Sequence, residues 1–169
     1  FIAALRGIDP TGGPRPSASN FGRGVPLALR DDETRRWIEK ARGLVDTRAV
    51  AAAWDYVLRV PAWDGPPVWL HGDIASGNLL VEDGRLSAVI DWGALGVGDP
   101  ACDLLVAWEM LDAGGRDALR TRLGVDDATW ARGRGWALST AIISLPYYEG
   151  TNAFMADQAR RKLAAVLSD

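Results

Sequence analysis

His71-Gly72-Asp73-Ile74-Ala75-Ser76-Gly77-Asn78, with Asp91-Trp92-Gly93 a short way downstream, is the stretch from which the fold of this 169-residue chain is read. Asn78 and Asp91 follow Asp73 by five and eighteen residues. This set suits phosphoryl transfer, in which one carboxylate orients a hydroxyl while an Asn and a second Asp hold Mg²⁺. The segment between them supports the grouping. Leu79-Leu80-Val81 and Leu86-Ser87-Ala88-Val89-Ile90 read as two strands joined by Glu82-Asp83-Gly84-Arg85, and Asp-Gly between apolar runs is a hairpin signal. The hairpin places Asn78 just before one strand and Asp91 just after the other, at the same end of a ribbon. Two oxygen ligands there suit Mg²⁺, which takes one or two protein oxygens and completes its shell with water and phosphate.

Outside this segment the periodicity is mostly helical. Residues 7–26, rich in Gly, Pro, Ser and Asn, read as an extended surface loop. Trp37, Ile38, Ala41, Leu44 and Val45 share one face of a helix over 31–45, and Val50, Trp54, Val57 and Leu58 form the stripe of a second over 47–60. Asp46 is its cap, Pro61 stops it, and Gly65-Pro66-Pro67 makes a rigid turn before the short apolar run Val68-Trp69-Leu70. Asp99-Pro100 opens a helix whose stripe is Leu104, Leu105, Trp108 and Leu111, with Gly114-Gly115 as its end. A helix over 127–145 ends at Pro146, and a last one over 153–167 buries Met155, Ala159, Leu163 and Val166. The reading is a single domain, mainly α with a small β-hairpin.

His71-Gly72-Asp73 together with Ile90-Asp91-Trp92-Gly93 resembles the aminoglycoside phosphotransferase family of small-molecule kinases. The likeness is to the catalytic loop and Asp-Phe-Gly element of protein kinases, with Gly72 where those carry Arg and Trp92 where they carry Phe. The resemblance is strong over residues 68–108. It implies the C-terminal, helical lobe of a protein-kinase-like fold, with Mg²⁺ as cofactor and ATP or GTP as co-substrate. The acceptor would be a hydroxyl-bearing small molecule, since members phosphorylate antibiotics, amino alcohols and sugars. It implies roles as well: Asp73 as catalytic carboxylate, Asn78 and Asp91 as metal ligands, and His71, the only histidine, as a prop for the loop. Gly98-Asp99-Pro100-Ala101-Cys102-Asp103 matches a family pattern in which the second Asp, here Asp103, braces that loop from below. Many relatives carry a second histidine where this chain has Ala75. The family places acidic and aromatic groups around the acceptor, for which Trp108, Glu109, Tyr147, Tyr148, Glu149 and Asp157 are the candidates.

A kinase also needs a lysine to grip the nucleotide phosphates and a glycine-rich loop to cover them. The chain has only two lysines, Lys40 and Lys162, both in helical segments. Gly12-Gly13-Pro14 and Gly22-Arg23-Gly24 lack flanking strands and read as ordinary loop glycines. The chain opens on Phe1, in mid-pattern. The expectation is therefore that an N-terminal nucleotide-clamping lobe of the same protein is missing and that the isolated chain is inactive. A non-catalytic, kinase-like binding module is the alternative, set against by three intact site residues. A Mg²⁺-dependent phosphoesterase would need more carboxylates near Asp91 than residues 92–97 offer.

The net charge of −3 argues against nucleic acid as a partner, because phosphate binding needs concentrated positive charge. No run approaches the roughly 18 apolar residues of a membrane span. The single cysteine, Cys102, excludes an intrachain disulfide and a cysteine metal cluster, and fits a reducing, cytoplasmic setting. Its place near a helix start could lower its pKa, but a small buried filler is the simpler reading.

Overall fold

A computed structural model describes residues 1–169. Its helices are α1 (Ile2–Arg6), α2 (Asp31–Lys40), α3 (Thr47–Leu58), α4 (Val106–Met110), α5 (Ala113–Leu123), α6 (Asp127–Tyr148) and α7 (Ala153–Leu167). Four short strands, β1 (Val68–Leu70), β2 (Leu79–Glu82), β3 (Arg85–Val89) and β4 (Gly96–Gly98), form two antiparallel pairs. The β2–β3 pair is the hairpin expected from Asp83-Gly84, and both turn residues have positive φ. Leu79 pairs with Val89 at its open end, and a bulge lies between Leu80 and Val81.

The β1–β4 pair was not read from the sequence. Val68, Trp69 and Leu70 lie opposite Gly98, Val97 and Gly96. Two glycines in three residues hide a strand from any pattern of alternating side chains. The pair sets the loop 71–78 directly after β1, and the Asp91 segment directly before β4.

Helix boundaries differ from the periodicity in four places. Helix α2 stops at Lys40, because Gly43 has a φ of +83° and turns the chain away before Leu44. The helix expected from Asp99 onward is a 3-10 turn over Pro100–Leu105 followed by α4. Gly114-Gly115 does not end that helix. Asp112 accepts the Gly115 N–H at 2.8 Å and starts α5, with both glycines in its first turn. Helix α6 carries Pro146 and runs two residues further, ending at Tyr148.

The core lies between α6, α7, the 3-10 turn and the α2–α3 pair, with Trp54, Trp108, Trp136, Leu138, Ile142 and Leu163 buried in it. Cys102 is fully buried there, and desolvation pushes its thiol up to about 12. It is a neutral filler, and the lowered pKa allowed by its place near a helix start does not occur. Residues 7–26 are not a free surface loop. Val97 donates to the Pro14 carbonyl at 2.9 Å and Asp99 to that of Gly24 at 3.0 Å, so the segment lies along β4 like an extra edge. Ser17 and Asn20 cap each other reciprocally in its middle, and Asn20 is buried. No helix is long and apolar enough to cross a membrane.

Candidate active site

The site is built where β1 gives way to the loop 71–78. His71 is fully buried. Its Nε2 lies 3.0 Å from the Ile90 carbonyl, and its Nδ1 accepts the Asp73 N–H at 3.3 Å. One neutral tautomer, protonated at Nε2, satisfies both contacts. The ring thus ties the backbone of Asp73 to the residue preceding Asp91. Trp92 packs against that ring at 4.7 Å between centroids, with Phe1 edge-on to both.

Beneath the loop, Asp103 accepts the His71 N–H at 2.9 Å and the Gly72 N–H at 2.7 Å, one on each oxygen. Burial pushes its pKa up, and the bonds from Gly72 and His71 pull it back. Gly72 has a φ of +81°, and a Cβ there would sit 2.5 Å from the Ala94 carbonyl oxygen. Only glycine lets the loop approach the turn after Asp91 so closely.

Asp73 is held from two sides. Asn78 donates to its carbonyl at 2.8 Å and to its carboxylate at 3.3 Å. Arg23, from the 7–26 segment, pairs with the other carboxylate oxygen at 3.3 Å. With its nitrogen turned this way, Asn78 keeps its amide oxygen free of protein donors. Asp91 sits in the left-handed region at φ +62°, an uncommon position for a non-glycine residue and the kind that clusters at functional sites. No group of three His, Cys, Asp or Glu side chains is gathered anywhere in the chain. The Asp91 carboxylate and the Asn78 amide oxygen are oxygen donors of the kind Mg²⁺ takes, few enough to leave water and phosphate to complete its shell.

Two cavities meet at Asp73. An outer cleft of about 440 Å³ is lined by Asp73 and Asp91 together with Arg23, Ser19 and Phe21. An inner pocket of about 240 Å³ lies between the loop, α6 and α7, and also has Asp73 and Arg23 at its edge. The larger apolar groove beside Ile74 and α5 touches none of the three loop residues Asp73, Asn78 and Asp91.

Residues 1–136 match the family described as "Phosphotransferase enzyme family". The chain belongs to that family. An aminoglycoside 3'-phosphotransferase of Escherichia coli is 36% identical over 59 residues, which is 35% of this chain and 22% of that protein. Among solved structures, a macrolide 2'-phosphotransferase type I superposes with a TM-score of 0.63 at 18% identity, over 96% of this chain and 56% of that one. A thermostable mutant of aminoglycoside phosphotransferase APH(4)-Ia, in ternary complex with ADP and hygromycin B, superposes at 0.60 with 20% identity, over 99% and 61%. These likenesses establish the kinase-like fold of the phosphotransferase family. The chain spans about three fifths of the solved structures it matches.

The residues expected on the acceptor side are dispersed. Glu109 and Tyr148 line the inner pocket. Trp108 does not: it is buried in the core against Trp130, because the stripe of Leu104 and Leu105 turns it inward. Tyr147 is exposed, edge-on to the Tyr148 ring at 4.8 Å between centroids, and does not line the pocket. Glu149 and Asp157 both pair with Arg160 on the surface and do not line the pocket. The sequence reading missed Arg23, Thr140, Ser144, Gln158 and Lys162. Thr140, Ser144 and Tyr148 recur every four residues, a hydroxyl ladder on one face of α6 that periodicity could have revealed. Arg23 carried no such signal, since its position depends on how the Ser17–Asn20 turn folds back over β4.

Asp103→Asn is expected to cost about 1–3 kcal/mol, because the amide keeps one acceptor and turns a donor toward the second buried N–H. Thermal melts of the two proteins check this. An unchanged melt would mean that the loop's N–H groups find other partners.

Proposed function

We propose that the chain forms the catalytic and acceptor-binding part of a Mg²⁺-dependent kinase that moves the γ-phosphate of ATP or GTP to a hydroxyl of a small molecule. The observation that carries the reading is the place of Asp73 at the junction of the two cavities. The acceptor hydroxyl approaches from the inner pocket and the nucleotide phosphates lie in the outer cleft beside Asp91. Asp73 accepts the hydroxyl proton as the oxygen attacks phosphorus in line; the new O–P bond forms as the bond to the leaving nucleoside diphosphate breaks. Asn78 and Arg23 fix the carboxylate's direction, while His71 and Asp103 hold the backbone beneath it. Mg²⁺, held by Asp91 and the Asn78 amide oxygen, would supply charge neutralisation on the phosphates. Cys102 as a lone buried thiol supports a cytoplasmic setting.

Neither lysine is placed to grip phosphate. Lys40 stacks on Trp37 at 4.1 Å, and Lys162 is ion-paired with Glu109 beside the inner pocket. The clamping lysine is accordingly assigned to an N-terminal lobe of the same protein. The 169 residues alone are expected to show no useful turnover and only weak nucleotide binding. Calorimetry with Mg-ATP and Mg-GTP tests this, and micromolar affinity would mean the nucleotide site is complete without that lobe.

The function itself is tested on the protein including that lobe, by ADP or GDP release against a panel of hydroxyl compounds. Asp91→Ala should raise the Mg²⁺ requirement more than Asn78→Ala, because it removes a full charge from the ion's shell. Metal titrations of both variants are the measurement. Equal, small effects would place the ion elsewhere, and no turnover with any acceptor would favour the binding-module alternative.

A further inference from the structure

We infer that the inner pocket beside Asp73 takes a neutral hydroxyl-bearing ring, and that it disfavours a polycationic acceptor. The inference rests on the phosphotransferase reading for the pocket's role, and on the pocket's own charges for the ligand class.

Two carboxylates border the pocket, and both are already matched. Glu109 is almost entirely buried, its side chain 2% exposed. One of its oxygens accepts the Ser76 N–H at 2.8 Å and the Gln158 amide at 3.3 Å. The other is paired with the Lys162 ammonium, itself 10% exposed. Asp73 is paired with Arg23. A protonated amine entering the pocket would meet no lining carboxylate without a cation of its own, and would lose its hydration while facing Lys162 and Arg23.

The neutral groups suit a different guest. Thr140, Ser144 and Tyr148 present three hydroxyls along one face of α6. Thr140 donates to carbonyls within its own helix, at 3.0 Å to Trp136 and 3.1 Å to Ala137, so its lone pairs remain as acceptors. Ser144 and Tyr148 keep both functions for a ligand. Ala141, Met155 and Ala159 give the ladder an apolar surround. Hydroxyls on a small apolar wall match the alternating edges and faces of a polyol ring. The volume of about 240 Å³ falls below the roughly 300–1,000 Å³ of pockets that enclose drug-sized ligands. It therefore takes one ring, with the rest of a larger acceptor lying outside.

The test is calorimetric binding without nucleotide, at fixed ionic strength, on the protein including its N-terminal lobe. The probes are myo-inositol, a neutral polyol ring, and 2-deoxystreptamine, a ring of similar size carrying two amines. The neutral ring is expected to bind at least tenfold tighter. Lys162→Met frees the Glu109 carboxylate and should narrow that ratio at least tenfold, while Lys162→Met/Glu109→Gln should restore it. The double variant separates a charge effect from a damaged pocket. Equal or tighter binding of the diamine by the unmodified protein, no binding of either ring, or an unchanged ratio in Lys162→Met would each overturn the inference. Because no nucleotide is present, failure of the phosphotransfer reading would show separately, as a retained preference for the neutral ring in a protein that turns over no acceptor.

Discussion

Asp73→Asn is expected to lower turnover by at least about 10²-fold while leaving the melting curve unchanged. The amide cannot accept the acceptor's proton, and it replaces the oxygen pair that Arg23 and Asn78 now hold at 3.3 Å each. The fold should not suffer. The Asp73 side chain is 43% exposed, and the loop is fixed through backbone atoms: the Asp73 N–H on His71, the Asp73 carbonyl under Asn78, and the two N–H groups on Asp103. The Arg23 pair adds little stability at that exposure, since screened ion pairs contribute about 0–1 kcal/mol. Steady-state kinetics beside a thermal melt make the measurement. Normal turnover with a normal melt would remove Asp73 from the mechanism; lost turnover with a lowered melt would show that its charge is structural.

The parts of this site that were legible in the sequence are those fixed by local chemistry. Asp83-Gly84 demands a tight turn, so the ribbon follows, and with it the placement of Asn78 and Asp91 at one end. Asp46 and Asp99 act as caps where the sequence placed them. What escaped depends on contacts between distant segments. Strand β4 has almost no side chains of its own, and exists because β1 and the 7–26 segment bond to its two edges. Arg23 reaches Asp73 across fifty residues of chain. Lys162, read as an ordinary helical lysine, ends up buried because α7 packs along α6 and turns it toward Glu109. Among the acceptor candidates, aromatic and acidic character picked out Glu109 and Tyr148, which line the inner pocket. It also picked Trp108, which is buried in the core, and Glu149 and Asp157, which pair with Arg160 on the surface, and it passed over Thr140 and Ser144 of α6.

Arg132→Met is expected to cost about 3–5 kcal/mol, because it strands a buried carboxylate. Arg132 and Asp99 have side chains only 4% and 3% exposed. The guanidinium bonds Asp99 at 2.8 and 3.4 Å, the Pro61 carbonyl at 3.0 Å and Thr129 at 3.0 Å, joining α6, the segment after α3 and the start of the 3-10 turn at one point. Methionine fills much of the volume but leaves Asp99 with only the Ala101 N–H, at 2.9 Å. For a chain of this size the loss corresponds to a melting point lower by on the order of 10 °C. Asp99→Asn/Arg132→Met should recover part of it, since no charge then remains buried, and the double-mutant cycle measures the coupling. The same substitution should reach the chemistry without touching a ligand. Asp99 caps the turn that carries Asp103, and Asp103 holds the N–H groups of His71 and Gly72. Turnover of Arg132→Met, measured well below its melting point, should therefore fall more than its folded fraction does. A drop that tracks the folded fraction would mean that the turn keeps its position without the ion pair, and that the brace beneath Asp73 is independent of α6.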